Sequence, residues 1–350
     1  MQIELTPEQR DFQESAGRLA AELAAGWHRG RGPHDIDPPT PDDKAWSRIV
    51  DAGWLAIGLR EEYGGFGASA VDLAVLVERL GYHAVAAPVV GTLLAIEQLQ
   101  TWGAPATLLE EVAAGALRVA PALTPQLRDF ATQPQQAVAW DAAGATTTFL
   151  PDQGRLCRLG EPLAYADLTR AVARVAEPTE AIPVTAPSDE ATDRLTAFGL
   201  SLLVADLLGT MQAALDAAVA HAKTRSQYGR PIGSFQAVQQ LLVDSHVLVE
   251  ASRSASYYAS WAVDALPGPE ALRAARRAKA FASRSAVEVC ENVVQVFGGI
   301  GMTWEAPAHV WLRRAQGDRL VLGDEQHHEA TIAATEFAPP ERGTDLATAD

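Results

Sequence analysis

The alternation of apolar and polar positions divides the chain into three stretches. Thr6-Pro7-Glu8-Gln9 reads as a helix start: Thr6 can cap, Pro7 suits the first helical position, and Gln9 can reach back to complete a capping box. The spacing predicts a helix through about Ala24, then a loop over the proline- and glycine-rich residues 30–43. Helical periodicity returns over residues 46–56 and breaks at residues 61–67, where three glycines in four residues predict a tight turn. Ser69 and Asp72 make the next cap, and Leu73, Val77 and Leu80 form an apolar stripe that Gly81 is expected to end.

From about Leu117 to Pro187 the period shortens to that of strands. Residues 137–140, 146–150, 155–159 and 171–175 are β-forming runs separated by Gly, Pro and Asp turns. Helical patterning then takes over. Residues 191–224 form a long Ala- and Leu-rich helix with Gly209 as a close-packing point, and Phe235, Val238, Leu242 and Val249 share one face of the next. Residues 270–296 form a third, with Arg273, Arg276, Arg277 and Lys279 expected on its polar side; residues 303–318 and 326–335 complete the set. The fold class is therefore mainly α with a small inserted β domain. The expected organisation is an N-terminal helical domain over 1–117, a short β domain over 118–188, a four- or five-helix bundle over 189–336 and a disordered tail over 337–350.

Composition narrows the partners. The 350 residues can bury a sizeable core, and 48% hydrophobic with 21% charged residues is ordinary for a soluble globular protein. Twenty-eight basic against 44 acidic residues give a net charge of -16, which argues against nucleic acid or an anionic membrane as the main partner. Cys157 and Cys290 match no metal or redox spacing and read as small apolar residues in a reducing compartment. With no basic-then-apolar leader pattern at the N-terminus, a cytoplasmic location is expected.

Two motifs stand out against this background. Arg225-Ser226-Gln227-Tyr228-Gly229 offers a forked cation suited to phosphate, and Gln295-Val296-Phe297-Gly298-Gly299-Ile300-Gly301 offers backbone N–H groups that an anion can approach closely. The helical pattern between them predicts a hairpin of two long helices that carries one motif at each open end, so both could meet one extended ligand. Each alone is weak, since glycine clusters often only end helices.

Together, in this order and spacing, they resemble the C-terminal domain of the acyl-CoA dehydrogenase family of flavoproteins. The resemblance implies that Arg225, Gln227, Tyr228, Gln295, Gly298 and Gly299 hold the adenosine diphosphate end of FAD across a subunit interface. Residues 61–67 also resemble the helix-linking loop of that family's N-terminal domain. The middle segment departs from the pattern, because it lacks the Thr-Glu-x-x-x-Gly-Ser-Asp loop used near the flavin ring and the Asn-Gly element that follows.

The resemblance also implies a reaction: a carboxylate takes the α-proton of an acyl-CoA thioester while the β-hydrogen leaves as hydride to the flavin, so the base must lie within reach of the α-carbon. Gly323 and Gly199 occupy the two positions where the family places that base. Asp324 and Glu325 lie one and two residues farther on and are the nearest carboxylates, although Asp324 also suits an N-cap and Glu325 a helix dipole. His327 and His328 are neighbouring acid–base groups. The function implied is FAD-dependent α,β-dehydrogenation of an acyl-CoA as one chain of a hetero-oligomer, an α2β2 assembly with an unlike acyl-CoA dehydrogenase chain and electron-transfer flavoprotein as acceptor. Pairs of this kind act in bacterial sterol side-chain breakdown. A non-catalytic subunit of such a complex and a flavin monooxygenase of the same fold stand as alternatives.

Overall fold

Thr6 and Gln9 fix the start of the first helix. A computed structural model describes residues 4–25 and 42–336; the tail and nearly all of the proline-rich segment lie outside the described residues. Helix α1 (Pro7–Ala24) opens on a reciprocal capping box, with the Gln9 N–H donating to Thr6 Oγ1 at 3.2 Å and the Thr6 N–H to Gln9 Oε1 at 3.0 Å. Helix α2 (Asp43–Asp51) is displaced from the expected residues 46–56: it is capped by Asp42 and gives way to turns from Ala52.

Helix α3 (Ala70–Tyr82) starts on the Ser69–Asp72 capping box and ends one residue after Gly81. Gly81 also serves close packing against α6 (Asp189–Thr224). A Cβ at Gly81 would lie 2.3 Å from the Asp206 carbonyl oxygen, and one at Gly209 would lie 2.0 Å from that of Glu78. Each helix thus presents a glycine to the other's backbone. Helices α4 (Val89–Thr101) and α5 (Ala106–Ala113) complete the N-terminal layer.

Five strands, β1 (Val119–Leu123), β2 (Val138–Trp140), β3 (Thr147–Leu150), β4 (Arg155–Leu163) and β5 (Val172–Ala181), close a barrel in the order β1-β2-β5-β4-β3. The β1–β3 pair is parallel and the others are antiparallel. Strand β1 was not among the expected runs, because its sequence Val-Ala-Pro-Ala-Leu has little β-branched character. Its alanines belong here for another reason. Ala120 and Ala122 are buried with Ala139, Ala173, Cys157 and Leu150 in the small cores of the barrel, where so few strands favour mostly short side chains.

The bundle consists of α6, α7 (Gln236–Ala265), α8 (Gly268–Phe297), α9 (Ala308–Leu320) and α10 (Glu325–Glu336), with a 3₁₀ turn over Gly298–Met302. That turn and Pro307 at the N-cap delay α9 to Ala308 rather than residue 303. Helix α6 is long and apolar enough to cross a membrane by length and composition, yet 94% of its most apolar window is buried inside the protein, as the central helix of a core. Arg273 and Arg277 face outward as expected, and Arg277 pairs with Glu336 of α10. Lys279 does not: it is fully buried, with Nζ donating to the carbonyls of Arg319 (2.9 Å) and Gly323 (2.8 Å).

A buried ionic hub joins the three parts. Arg170, from the β4–β5 connection, reaches Asp141 (2.8 Å), Asp206 (3.0 Å) and Asp318 (3.3 Å), while Arg314 holds Asp206 with two bonds of 2.7 and 2.9 Å. Arg314 also donates to the Val85 carbonyl, and the Gly91 N–H donates to Asp141, which brings in the N-terminal layer. Burial and the neighbouring Asp206 push the Asp318 carboxyl well above the usual range, so it keeps its proton. Burial alone would raise Asp206 too, but the two guanidiniums outweigh it and hold that carboxyl low.

Candidate functional site

Strands β6 (Ser226–Gln227) and β7 (Arg230–Pro231) pair directly after α6, leaving Tyr228 and Gly229 as a two-residue turn. Both have positive φ, +52° and +79°, the signature of a type I′ hairpin. A tyrosine in that conformation carries strain of about 1 kcal/mol or more. It is held by Phe235, whose ring meets Tyr228 edge-on at 6.2 Å and carries the Arg230 guanidinium at 4.3 Å. The Ile232 N–H donates to the Arg225 carbonyl at 2.8 Å and closes the base of the hairpin. Arg225 and Gln227 are exposed, and Tyr228 is 93% exposed.

The second motif ends α8, and its three glycines have three different causes. Gly298 takes φ +65° and ψ -142°, a conformation restricted almost entirely to glycine. Gly301 folds back so closely that a Cβ would lie 2.8 Å from Phe297 Cβ. Gly299 has neither constraint: its φ is ordinary, and a Cβ there would meet nothing within 4 Å. Its missing side chain serves no contact among the described residues and leaves a backbone surface that a ligand can approach. Gln295 is exposed beside it.

The fold brings the two motifs to one end of the bundle. Helices α6 and α8 pack along their lengths and finish together, where the His221 and Phe297 rings stack at 4.5 Å with 9° between planes. His221 lies four residues before Arg225, and Phe297 immediately precedes Gly298.

The loop between α9 and α10 shows the opposite character. Leu322 and Gly323 have φ of +55° and +97°, and the Leu322 N–H donates to the Leu127 carbonyl, in the turn after β1, at 2.7 Å. A Cβ at Gly323 would lie 2.6 Å from His327 Cδ2, and one at Gly199 would lie 2.7 Å from Leu322 Cδ1 and 3.1 Å from Leu94 Cδ1. Asp324 accepts the His327 N–H at 2.9 Å as the N-cap of α10, and that bond, the leading cause, holds its carboxyl below the usual range. Glu325 is clasped by Arg319 through Nε (2.8 Å) and Nη2; burial would raise its carboxyl, but the Arg319 bonds win and lower it. Burial, then Lys279, lowers His328 to about 3, so it is neutral. Burial likewise lowers Lys279 to about 7, and a neutral amine still has N–H donors for both of its carbonyls.

Residues 6–116 match the family description "Acyl-CoA dehydrogenase, N-terminal domain" and residues 198–336 match "Acyl-CoA dehydrogenase, C-terminal domain". The chain belongs to the acyl-CoA dehydrogenase family. It is 31% identical to acyl-CoA dehydrogenase IpdE2 of Mycolicibacterium smegmatis over 297 residues, 85% of this chain and 89% of that one. Its fold is similar to the ChsE4–ChsE5 complex from Mycobacterium tuberculosis (TM-score 0.77, 21% identity, 97% of this chain and 100% of that one). It is also similar to PigA solved with FAD and proline (TM-score 0.78, 21% identity, 96% and 99%).

As an acyl-CoA dehydrogenase, the chain presents at its motif end donors that fit its family's flavin. For the adenosine diphosphate end the donor set is present and open: an exposed guanidinium, two exposed amides and the uncovered backbone at Gly299. The loop between α9 and α10, where the resemblance places one base position, is hydrogen-bonded to the turn after β1 through Leu322 and Leu127, and leucine and histidine side chains fill the space beside Gly199 and Gly323.

Several residues that shape the site escaped sequence reasoning. Lys279 was expected on the polar side of its helix and is instead buried, and the His221–Phe297 pair gave no signal beyond ordinary helix composition. Asp206 did give one, as the lone carboxylate of the apolar stretch 195–215, which calls for a buried cation.

Proposed function

We propose that this chain is one half of a shared flavin site in a hetero-oligomer. Arg225, Gln227, Tyr228, Gln295, Gly298 and Gly299 grip the adenosine diphosphate end of an FAD whose ring is lodged in an unlike acyl-CoA dehydrogenase chain. The assembly, an α2β2 tetramer, carries out α,β-dehydrogenation of an acyl-CoA and passes electrons to electron-transfer flavoprotein in the cytoplasm. The observation that supports this reading is the contrast between the exposed motif end and the α9–α10 loop at the base position, which the Leu322–Leu127 bond ties to the barrel.

FAD supplies the hydride acceptor when bound. This chain's share is binding: Arg225 places a fixed positive charge at a diphosphate, the Gln227 and Gln295 amides can donate to or accept from polar groups around it, and Tyr228 offers an exposed ring face to an adenine. Asp324 and Glu325 are engaged with the His327 N–H and Arg319, so the base belongs to the partner. The ChsE4–ChsE5 structure, a complex of two named chains with a chain of this fold in it, is in keeping with such a pairing.

Purified alone, the chain is expected to be colourless. Co-expressed with an unlike, longer dehydrogenase chain, it is expected to yield a yellow complex that an acyl-CoA bleaches without oxygen. Flavin content that is the same with and without the partner overturns the reading.

A further inference from the structure

The two motifs are built on separate helices, and a dinucleotide gripped by both requires the spacing of their backbones to be fixed. The last turns of α6 and α8 provide one contact suited to this. The His221 carbonyl accepts the Arg225 N–H at 2.8 Å, so the position of His221 sets where the Arg225 hairpin begins. Phe297 is bonded to Gly298, and Gly301 folds back against its Cβ, so Phe297 sets where the glycine bend begins and how it closes. These two residues stack ring on ring, at 4.5 Å and 9°. Neither belongs to the set of residues assigned to the ligand, and neither is deeply buried.

We propose that His221 is a positioning residue of the dinucleotide site: through its stack on Phe297 it holds the Arg225 hairpin and the Gly298–Gly299 bend at the separation one diphosphate-bearing ligand needs. The role belongs to the flat ring rather than to its nitrogens, because the contact is face to face and an aromatic of similar size can keep it. Burial, then the Arg225 charge, lowers the His221 imidazole from its ordinary value, so it stacks as the neutral ring near neutral pH. This inference rests on the shared-site reading for the identity of the ligand, but not for the coupling of the two segments.

The test compares the full chain with His221→Ala and His221→Phe. Titrated with ADP in a calorimeter, His221→Ala is expected to bind roughly tenfold more weakly than the unaltered chain and His221→Phe about as well. Equal affinity of all three overturns the clamp. If the unaltered chain fails to take up ADP, the shared-site reading is what fails, and hydrogen exchange then decides the clamp. Amides of residues 225–229 and 298–301 are expected to exchange faster together in His221→Ala and to regain protection in His221→Phe. Unchanged exchange in His221→Ala overturns it whatever the ligand.

Discussion

Gly298 and Gly299 are neighbours with different reasons for lacking a side chain. Gly298 adopts a backbone conformation that alanine reaches only under strain, whereas Gly299 is free of strain and faces open space. Gly298→Ala should therefore destabilise the isolated chain by about 1–3 kcal/mol. Gly299→Ala should leave thermal stability within about 1 kcal/mol of the unaltered chain, or raise it slightly, since alanine narrows the unfolded ensemble. In the assembled complex Gly299→Ala should still lower flavin retention, because its methyl enters the surface that the ligand approaches. Melting curves of both variants alone and flavin content in the complex separate the two causes. The motif glycines were legible as a set from sequence. Their division into a strained, a packed and an open position was not, because that depends on backbone angles and on Phe297.

At the scale of elements, the loop between α9 and α10 is held rather than open. Lys279 donates to the loop carbonyl of Gly323 and to that of Arg319 in the last turn of α9, and His327 packs over Gly323. Restoring a carboxylate at the family position by Gly323→Glu meets both a positive φ and the His327 ring. It should cost about 2 kcal/mol or more and confer no dehydrogenase activity on the chain alone. An unchanged melting temperature would show that the loop has slack. Sequence reasoning assigned glycine to both base positions, but gave no sign that leucine and histidine side chains fill the space beside them, since long-range packing leaves no local mark.

The same loop should make stability depend on pH. His328 is lowered in the fold from 6.5 to about 3, so between those values the unfolded chain binds a proton that the folded chain does not. Stability therefore rises with pH through this window and is lost on acidification, by about 1.4 kcal/mol per pH unit from this group. Urea unfolding at about pH 4.5 and pH 6.5 should show a smaller loss for His328→Phe than for the unaltered chain. Equal losses would mean that His328 accepts its proton in the folded state. Lys279, lowered from 10.5 to about 7, follows the same sign at higher pH, with stability rising as the medium becomes alkaline.

Across the whole molecule, the Arg170–Arg314 hub ties the N-terminal layer, the barrel and the bundle into one body. Arg314→Met leaves Asp206 with a fully buried charge and one cation fewer, which should cost about 3–5 kcal/mol in urea unfolding. Asp318→Asn should cost far less, because an amide replaces a carboxyl that already keeps its proton. If the two variants unfold alike, the assignment of the proton to Asp318 is wrong. The three-part architecture was readable from changes of period along the chain. The hub was not, since Asp141, Arg170, Asp206, Arg314 and Asp318 are scattered in sequence and meet only in the fold. The hub and the Leu322–Leu127 bond together close the junction of barrel and bundle, while the motif end lies open to a neighbour. The most direct measurement is the number of flavins per chain in the purified hetero-oligomer, with and without Arg225→Ala. One FAD for each unlike pair, released when Arg225 is replaced, is the expected result. One FAD for every chain, or occupancy indifferent to Arg225, would contradict it.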